Sequence, residues 1–167
     1  MWVKLTTGAV RIAVQDAAVC LLAYLAGFYF NQAIVSSSSH IGALWCVISG
    51  IVVLQATRRD TVASAWLRVL GTLIGAVISA IYLLFLPFNP IGLAVTIGIT
   101  MLVCYILQIP DHARLAAITV AVIMVVSLVH PQMNPLMNAA LRFIESCIGT
   151  VLAVLAVLAW PEASESH

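Results

Sequence analysis

Two arginines stand inside apolar runs long enough to lie in a bilayer. Arg68 opens RVLGTLIGAVISAIYL and Arg142 opens RFIESCIGTVLAVLAVL. A guanidinium at that depth is expensive, so each should face protein or water rather than lipid. It also binds a carboxylate through two parallel hydrogen bonds, and two of them along one path would attract an organic anion. The alternative is that each arginine pairs with an acid merely to fix helix packing. Glu145, three residues after Arg142, permits such a pair on one helix, and Asp16 could partner Arg68 across helices. Asp16 and Glu145 are the acids well inside apolar runs. They are candidates for proton coupling, or structural counter-ions to a neighbouring arginine.

The arginines belong to a pattern. After Arg68, Gly71, Gly75 and Ser79 recur at four-residue spacing, a small-residue stripe that lets another helix approach closely. At an offset of 74 residues Arg68 maps onto Arg142, Ile74 onto Ile148 and Gly75 onto Gly149. The same offset lays residues 17–33 over 91–107 and VISGIVVL (47–54) over AVIMVVSL (121–128). Gly71, Gly75 and Gly149 are read as helix-packing positions. Further small-residue stripes, Gly42, Cys46, Gly50 and Gly92, Thr96, Thr100, could pack within a protomer or between protomers.

The elements that carry these residues follow from composition. Hydrophobic residues make up 63% of the 167 and charged residues 8%, too little polar surface for a soluble domain. An all-α integral membrane protein is expected, with the lipid bilayer its first partner. Only seven basic residues are present, which excludes a nucleic-acid footprint. The start of the chain makes a poor signal peptide, because charge recurs at Arg11 and Asp16. With about 20 apolar residues needed per crossing, six transmembrane helices are read, at about 12–33, 41–56, 61–86, 91–109, 113–130 and 136–160. Polar or proline-rich turns separate them: VSSSSH, TRRD, PFNP, PDH and PQMNP. The chain thus reads as a single transmembrane domain, 1–167, of two three-helix repeats, about 12–86 and 91–160. Because three is odd, the repeats are inverted, and the working site should lie near the midplane between them.

Orientation follows from the basic residues. With a cytoplasmic N-terminus, Lys4, Arg11, Arg58, Arg59 and Arg114 lie inside, and the outer loops around Ser36, Asn89 and Gln132 hold no lysine or arginine. Both termini are then cytoplasmic. Trp45, Trp66 and Trp160 are plausible interface anchors. Tyr24, Phe28, Tyr29, Phe30 and Trp45 cluster near the outer end of the first hairpin, where they could stack on an aromatic substrate or form an interfacial belt. His40, His112 and His130 sit at span ends and read as loop histidines. The four cysteines, each inside an apolar run, read as buried small residues. No Ser/His pair, paired acids on one helix or metal-spaced cluster appears. Neither an enzyme nor a metal or cofactor site is expected.

At the second and third spans the residues carry a resemblance. Trp45 opens WCVISGIVVLQ, Thr57 and Thr61 follow, and Arg68 leads into Gly71, Thr72 and Gly75 as RVLGTLIG. This resembles the fusaric acid resistance / aromatic acid exporter (FUSC-like) superfamily, which also holds plant aluminium-activated malate transporters. Its members show a tryptophan opening a span, a V-V-x-Q-type ending, and an arginine followed by G-T-x-x-G. The resemblance implies outward transport of organic anions, commonly aromatic carboxylates, across a bacterial inner membrane. Arg68, Gly71, Thr72 and Gly75 are the positions carried over. Many relatives continue into a large cytoplasmic domain or a second membrane block, whereas this sequence ends at His167, so a homo-oligomer or a separate soluble partner is expected.

The sequence therefore reads as an inner-membrane exporter of small organic anions, aromatic carboxylates foremost, with Arg68, Arg142, Thr72, Trp45 and Tyr29 as substrate-binding residues and Asp16 or Glu145 as the candidates for coupling protons. Its rivals are a passive organic-anion channel and a non-transporting membrane subunit that assembles with a soluble partner.

Overall fold

The computed structural model describes residues 7–36, 39–55 and 57–159; Lys4 and Trp160 lie outside them. Six helices carry the described chain, and no strand occurs among the described residues. They are α1 (Thr7–Ile34), α2 (Ser39–Val53), α3 (Arg58–Phe85), α4 (Pro90–Ile106), α5 (Pro110–Val129) and α6 (Pro135–Ala159). α1, α3, α5 and α6 are long and apolar enough to cross a bilayer; α2 and α4, of 15 and 17 residues, are shorter. The protein is a multi-pass helical membrane protein.

The helix starts are written in the turns. α4, α5 and α6 each begin on a proline, whose missing N–H and fixed φ suit the first helical position. Asn89 caps α4 by accepting from the Gly92 N–H at 2.6 Å, and Asn134 accepts from the Leu136 N–H at 2.9 Å at the head of α6. Two expected boundaries shift for the same reason. Arg58, Arg59 and Asp60 form the first turn of α3 instead of a loop, because the Thr57 hydroxyl accepts from the Asp60 N–H at 3.1 Å and Asp60 sits where the helix dipole favours an acid. Pro110, Asp111 and His112 are the first turn of α5 and not the stop after α4. The tight turn before them places Gln108 at φ 60°, a left-handed residue closing the end of α4.

The helices fall into two compact units. One takes α1, α2, α3 as far as Ala65 and α6 from Ile148; the other takes α3 from Trp66, α4, α5 and α6 as far as Cys147. In the first unit Val19, Val53 and Ala153 form an apolar core. Glycines set its spacing. A Cβ at Gly27 would lie 2.9 Å from the Ala43 backbone, and one at Gly149 would run into the Cys46 carbonyl. Gly42, Cys46 and Gly50 are buried here, so that stripe packs within the protomer. Ser64 donates to the Val52 carbonyl at 3.1 Å, tying the start of α3 to the end of α2.

In the second unit α3 and α5 run parallel in close contact. A Cβ at Gly71 would sit 2.8 Å from Leu115 Cβ and 3.1 Å from the His112 carbonyl oxygen; one at Gly75 would meet the Ala116 carbonyl and Thr119 Cβ. Contact therefore advances along both helices together. α6 runs the other way. Its Ala139 packs with Ala76, Ala80 and Leu83 of α3 and Val120, Ile123 and Met124 of α5, while Ser146, two turns on, meets Thr72. Asn138 donates to the Ile123 carbonyl at 2.9 Å and fixes α6 on α5. On α4, Gly92, Thr96 and Thr100 are buried, with both threonine hydroxyls donating to carbonyls four residues back in their own helix.

Close approach predicts an ordering of glycine variants. Gly75→Ala and Gly149→Ala should each destabilise the protein by about 1–3 kcal/mol through overpacking. Gly98 has nothing within 4 Å of an added Cβ, and Gly98→Ala should be neutral or stabilising by up to about 1 kcal/mol. Reversible unfolding in mixed micelles checks this; three equal shifts would refute the packing argument.

Candidate functional site

The second unit gathers buried polar side chains along facing stretches of α3 and α6. Arg68, Thr72 and Ser79 lie on α3 at spacings of four and seven; Asn138, Arg142, Glu145 and Ser146 lie on α6 at four, three and one. These spacings put each set on one face of its helix. Arg68, Arg142 and Glu145 are each 0% exposed, the buried charged side chains among the described residues.

Their register is fixed by one contact. The Thr72 and Ser146 hydroxyls lie 3.1 Å apart in a buried hydrogen bond between α3 and α6. Arg68 is four residues before Thr72, and Arg142 four before Ser146. Because the helices are antiparallel, the two arginine Cα levels fall about 6 Å to either side of the hydroxyl pair, given 1.5 Å of rise per residue. Glu145 adjoins Ser146 and so lies between the two levels. Its Oε2 is 2.9 Å from Arg142 Nη1, an ion pair on one helix face.

The electrostatic balance follows directly. Two arginines against one glutamate leave an excess of one positive charge among the buried groups. Buried charges of this kind are tolerated only where the protein supplies them with partners, as the Arg142–Glu145 ion pair does on α6. The hydroxyls of Thr72 and Ser146 can each donate or accept, so either can turn to another polar partner.

Of the other residues singled out in the sequence, Tyr29, Trp45 and Asp16 belong to the first unit, whereas Arg68, Thr72, Arg142 and Glu145 belong to the second. Trp45 is buried, while Tyr29 is 66% exposed with its ring edge-on to Phe28. Trp66 is exposed, as an interface anchor would be. Tyr24 and His40 meet at 2.9 Å on the first hairpin, with Phe28 beside the imidazole. Gly71 and Gly75 line the α3–α5 contact and Gly149 the contact with α2.

Three features escaped the sequence reading. His112 is no loop histidine; it is 7% exposed in the first turn of α5. The signal for this was Pro110, which marks a helix start as readily as a stop. Ser146 pairs with Thr72, a relation already present in the 74-residue offset. Asn138 stands one turn before Arg142, buried, and closes on Ile123.

Removing the countercharge should be costly. Glu145→Gln is expected to lose about 3 kcal/mol of stability, whereas the double variant Arg142→Met, Glu145→Met should lie nearer wild type, since no charge is then stranded. Unfolding of the two variants in micelles checks the order; equal losses would mean that the pair carries no special weight.

Comparison with known proteins gives one positive finding. No curated protein and no solved structure matches the chain. The profile described as fusaric acid resistance protein-like matches residues 22–156, most of the sequence and all of the cluster just described. The chain belongs to the fusaric acid resistance protein-like family of membrane transport proteins.

Proposed function

We propose that the protein exports small organic anions, aromatic carboxylates foremost, across a bacterial inner membrane. The observation that carries this is the pair of fully buried arginines on α3 and α6, with the Thr72–Ser146 hydroxyl pair between their levels. An organic carboxylate matches the guanidinium fork and the hydroxyl donors. The levels of Arg68, the hydroxyl pair and Arg142 form successive stations for the anion. At Arg142 the substrate must compete with Glu145, because two carboxylates side by side repel. The displaced Glu145 carboxyl takes a proton, and substrate movement is thereby coupled to a proton. Asp16, half-buried within α1, is the second candidate for that coupling.

Six crossings arranged as two inverted repeats suit this path. Gly75 packs on Ala116 and Thr119; shifted by 74 residues these become Gly149, Gly42 and Trp45, and Gly149 packs on Cys46, the next residue. Thr72 shifts onto Ser146, its own hydrogen-bond partner, as expected for residues that meet on an axis. Arg58, Arg59 and Arg114 at the heads of α3 and α5 support cytoplasmic termini by the positive-inside rule.

Uptake of labelled 4-hydroxybenzoate into proteoliposomes tests the proposal. Flux should rise with an imposed pH gradient. Arg68→Gln should cut it at least tenfold, and Arg68→Lys should restore it only in part, the charge being kept and the fork lost. Glu145→Gln should transport without dependence on the gradient. Wild-type flux in Arg68→Gln would sink the site, and currents through single proteins in a planar bilayer would replace export with a channel.

A further inference from the structure

His112 is a buried polar group that this transport scheme does not yet use. It is 7% exposed, and neither Nδ1 nor Nε2 has a hydrogen-bond partner among the described residues. Cys104, Ala113 and Ala116, with Ile74, Met101 and Ile109 against them, make the first turns of α5 an apolar setting. Asp111 and Arg114, its charged neighbours along the chain, are exposed. An imidazole without donor or acceptor partners in such a place is costly, which points to a bound molecule as its partner.

Its place relative to Arg68 follows from register. His112, Ala116 and Thr119 share the face of α5 that packs on Gly71 and Gly75 of α3. The two helices are parallel, with Gly71 level with His112–Ala116, so Arg68, three residues earlier, lies at or just before the level of His112. Side chains lean toward the N-terminus of their helix, which carries the imidazole toward that same level. α5 also starts there without a side-chain cap, its first N–H groups turned to the end where an anion is favoured.

We propose that His112 is a ligand-contacting residue, completing with Arg68 a polar clamp at the head of α5 that takes a hydroxy-substituted organic acid. The clamp rests on the organic-anion reading and adds a selectivity to it. A neutral imidazole has one donor and one acceptor. A bare carboxylate answers only the donor; a ligand hydroxyl donates to the remaining nitrogen. The hydroxyl is therefore what His112 recognises, while Arg68 holds the carboxylate.

The test is equilibrium binding of benzoate and the three hydroxybenzoate isomers to the full chain in lipid nanodiscs, alongside flux in proteoliposomes. Wild type should bind its preferred hydroxybenzoate about tenfold tighter than benzoate. In His112→Leu, which keeps apolar bulk but no hydrogen bond, the ratio should fall to near one; His112→Asn, with a donor and an acceptor, should restore part of it. Melting curves identify any variant that fails to fold, and His112→Asn then carries the comparison. An unchanged ratio in the folded variants overturns the proposal, as does a wild type that binds no acid or does not prefer a hydroxylated one. Binding with the expected ratio but no flux would instead overturn the transport reading and leave the clamp standing.

Discussion

A buried guanidinium must be answered by the protein, because the hydrocarbon around it supplies neither water nor countercharge. Arg68 and Arg142, each fully buried, impose that constraint on the second unit. It accounts for the placement of Glu145 beside Arg142 and for hydroxyl side chains where a purely apolar core would pack as well. It also accounts for the glycines. Gly71 and Gly75 bring α3 onto α5 closely enough to shut lipid away from the face that holds Arg68 and Thr72. Close packing thus serves the buried charge in this protein, since a charge is tolerable in a bilayer only where neighbouring helices shut lipid away from it.

Charge and hydroxyl groups divide the work of such a core. An ion pair such as Arg142–Glu145 is strongly held in a low dielectric, and on its own it would act as a rigid fastening. The Thr72–Ser146 pair is different in kind. A hydroxyl rotates, exchanges the roles of donor and acceptor, and loses little when its partner is replaced by another oxygen. The adaptable pair stands between the levels of the two fixed charges, so the polar surface continues from one arginine toward the other.

Much of this was legible in the sequence. Six helices, the apolar class, the small-residue stripes and the two arginines follow from runs and spacings whose physical meaning does not depend on tertiary context. Boundaries were less so. Thr57 and Pro110 were read as ends although both chemistries also begin helices, and only the packing of Arg58–Phe85 and Pro110–Val129 decides between those uses. Tyr29 and Trp45 show a second limit. An aromatic near a helix end is equally at home in lipid, in a core or on a ligand; burial of one and exposure of the other depend on which helix face meets a neighbour. His112 was hidden for a related reason, since a histidine beside proline and aspartate looks solvated until its helix is docked.

The 74-residue offset turns a weak sequence signal into a physical statement. Few identities survive between the halves, and some, such as Val77 with Val151, face outward; yet the arginines and Gly75 with Gly149 are identical where helices touch, and Thr72 with Ser146 keeps a hydroxyl there. A contact from α3 to α5 in one unit has its shifted counterpart from α6 to α2 in the other. Identity lost elsewhere is what membrane helices permit, because leucine, valine and isoleucine facing lipid are interchangeable. Positions that must admit a neighbouring backbone, or hold a charge out of water, have no such substitutes. The departures are equally informative. Gly71 shifts onto Glu145, so the position that is a packing glycine on α3 carries the countercharge on α6. A strictly symmetric pair would leave two arginines with two acids or none. Among the described residues one buried acid, Glu145, stands beside Arg142, so the two halves have diverged at the charges themselves.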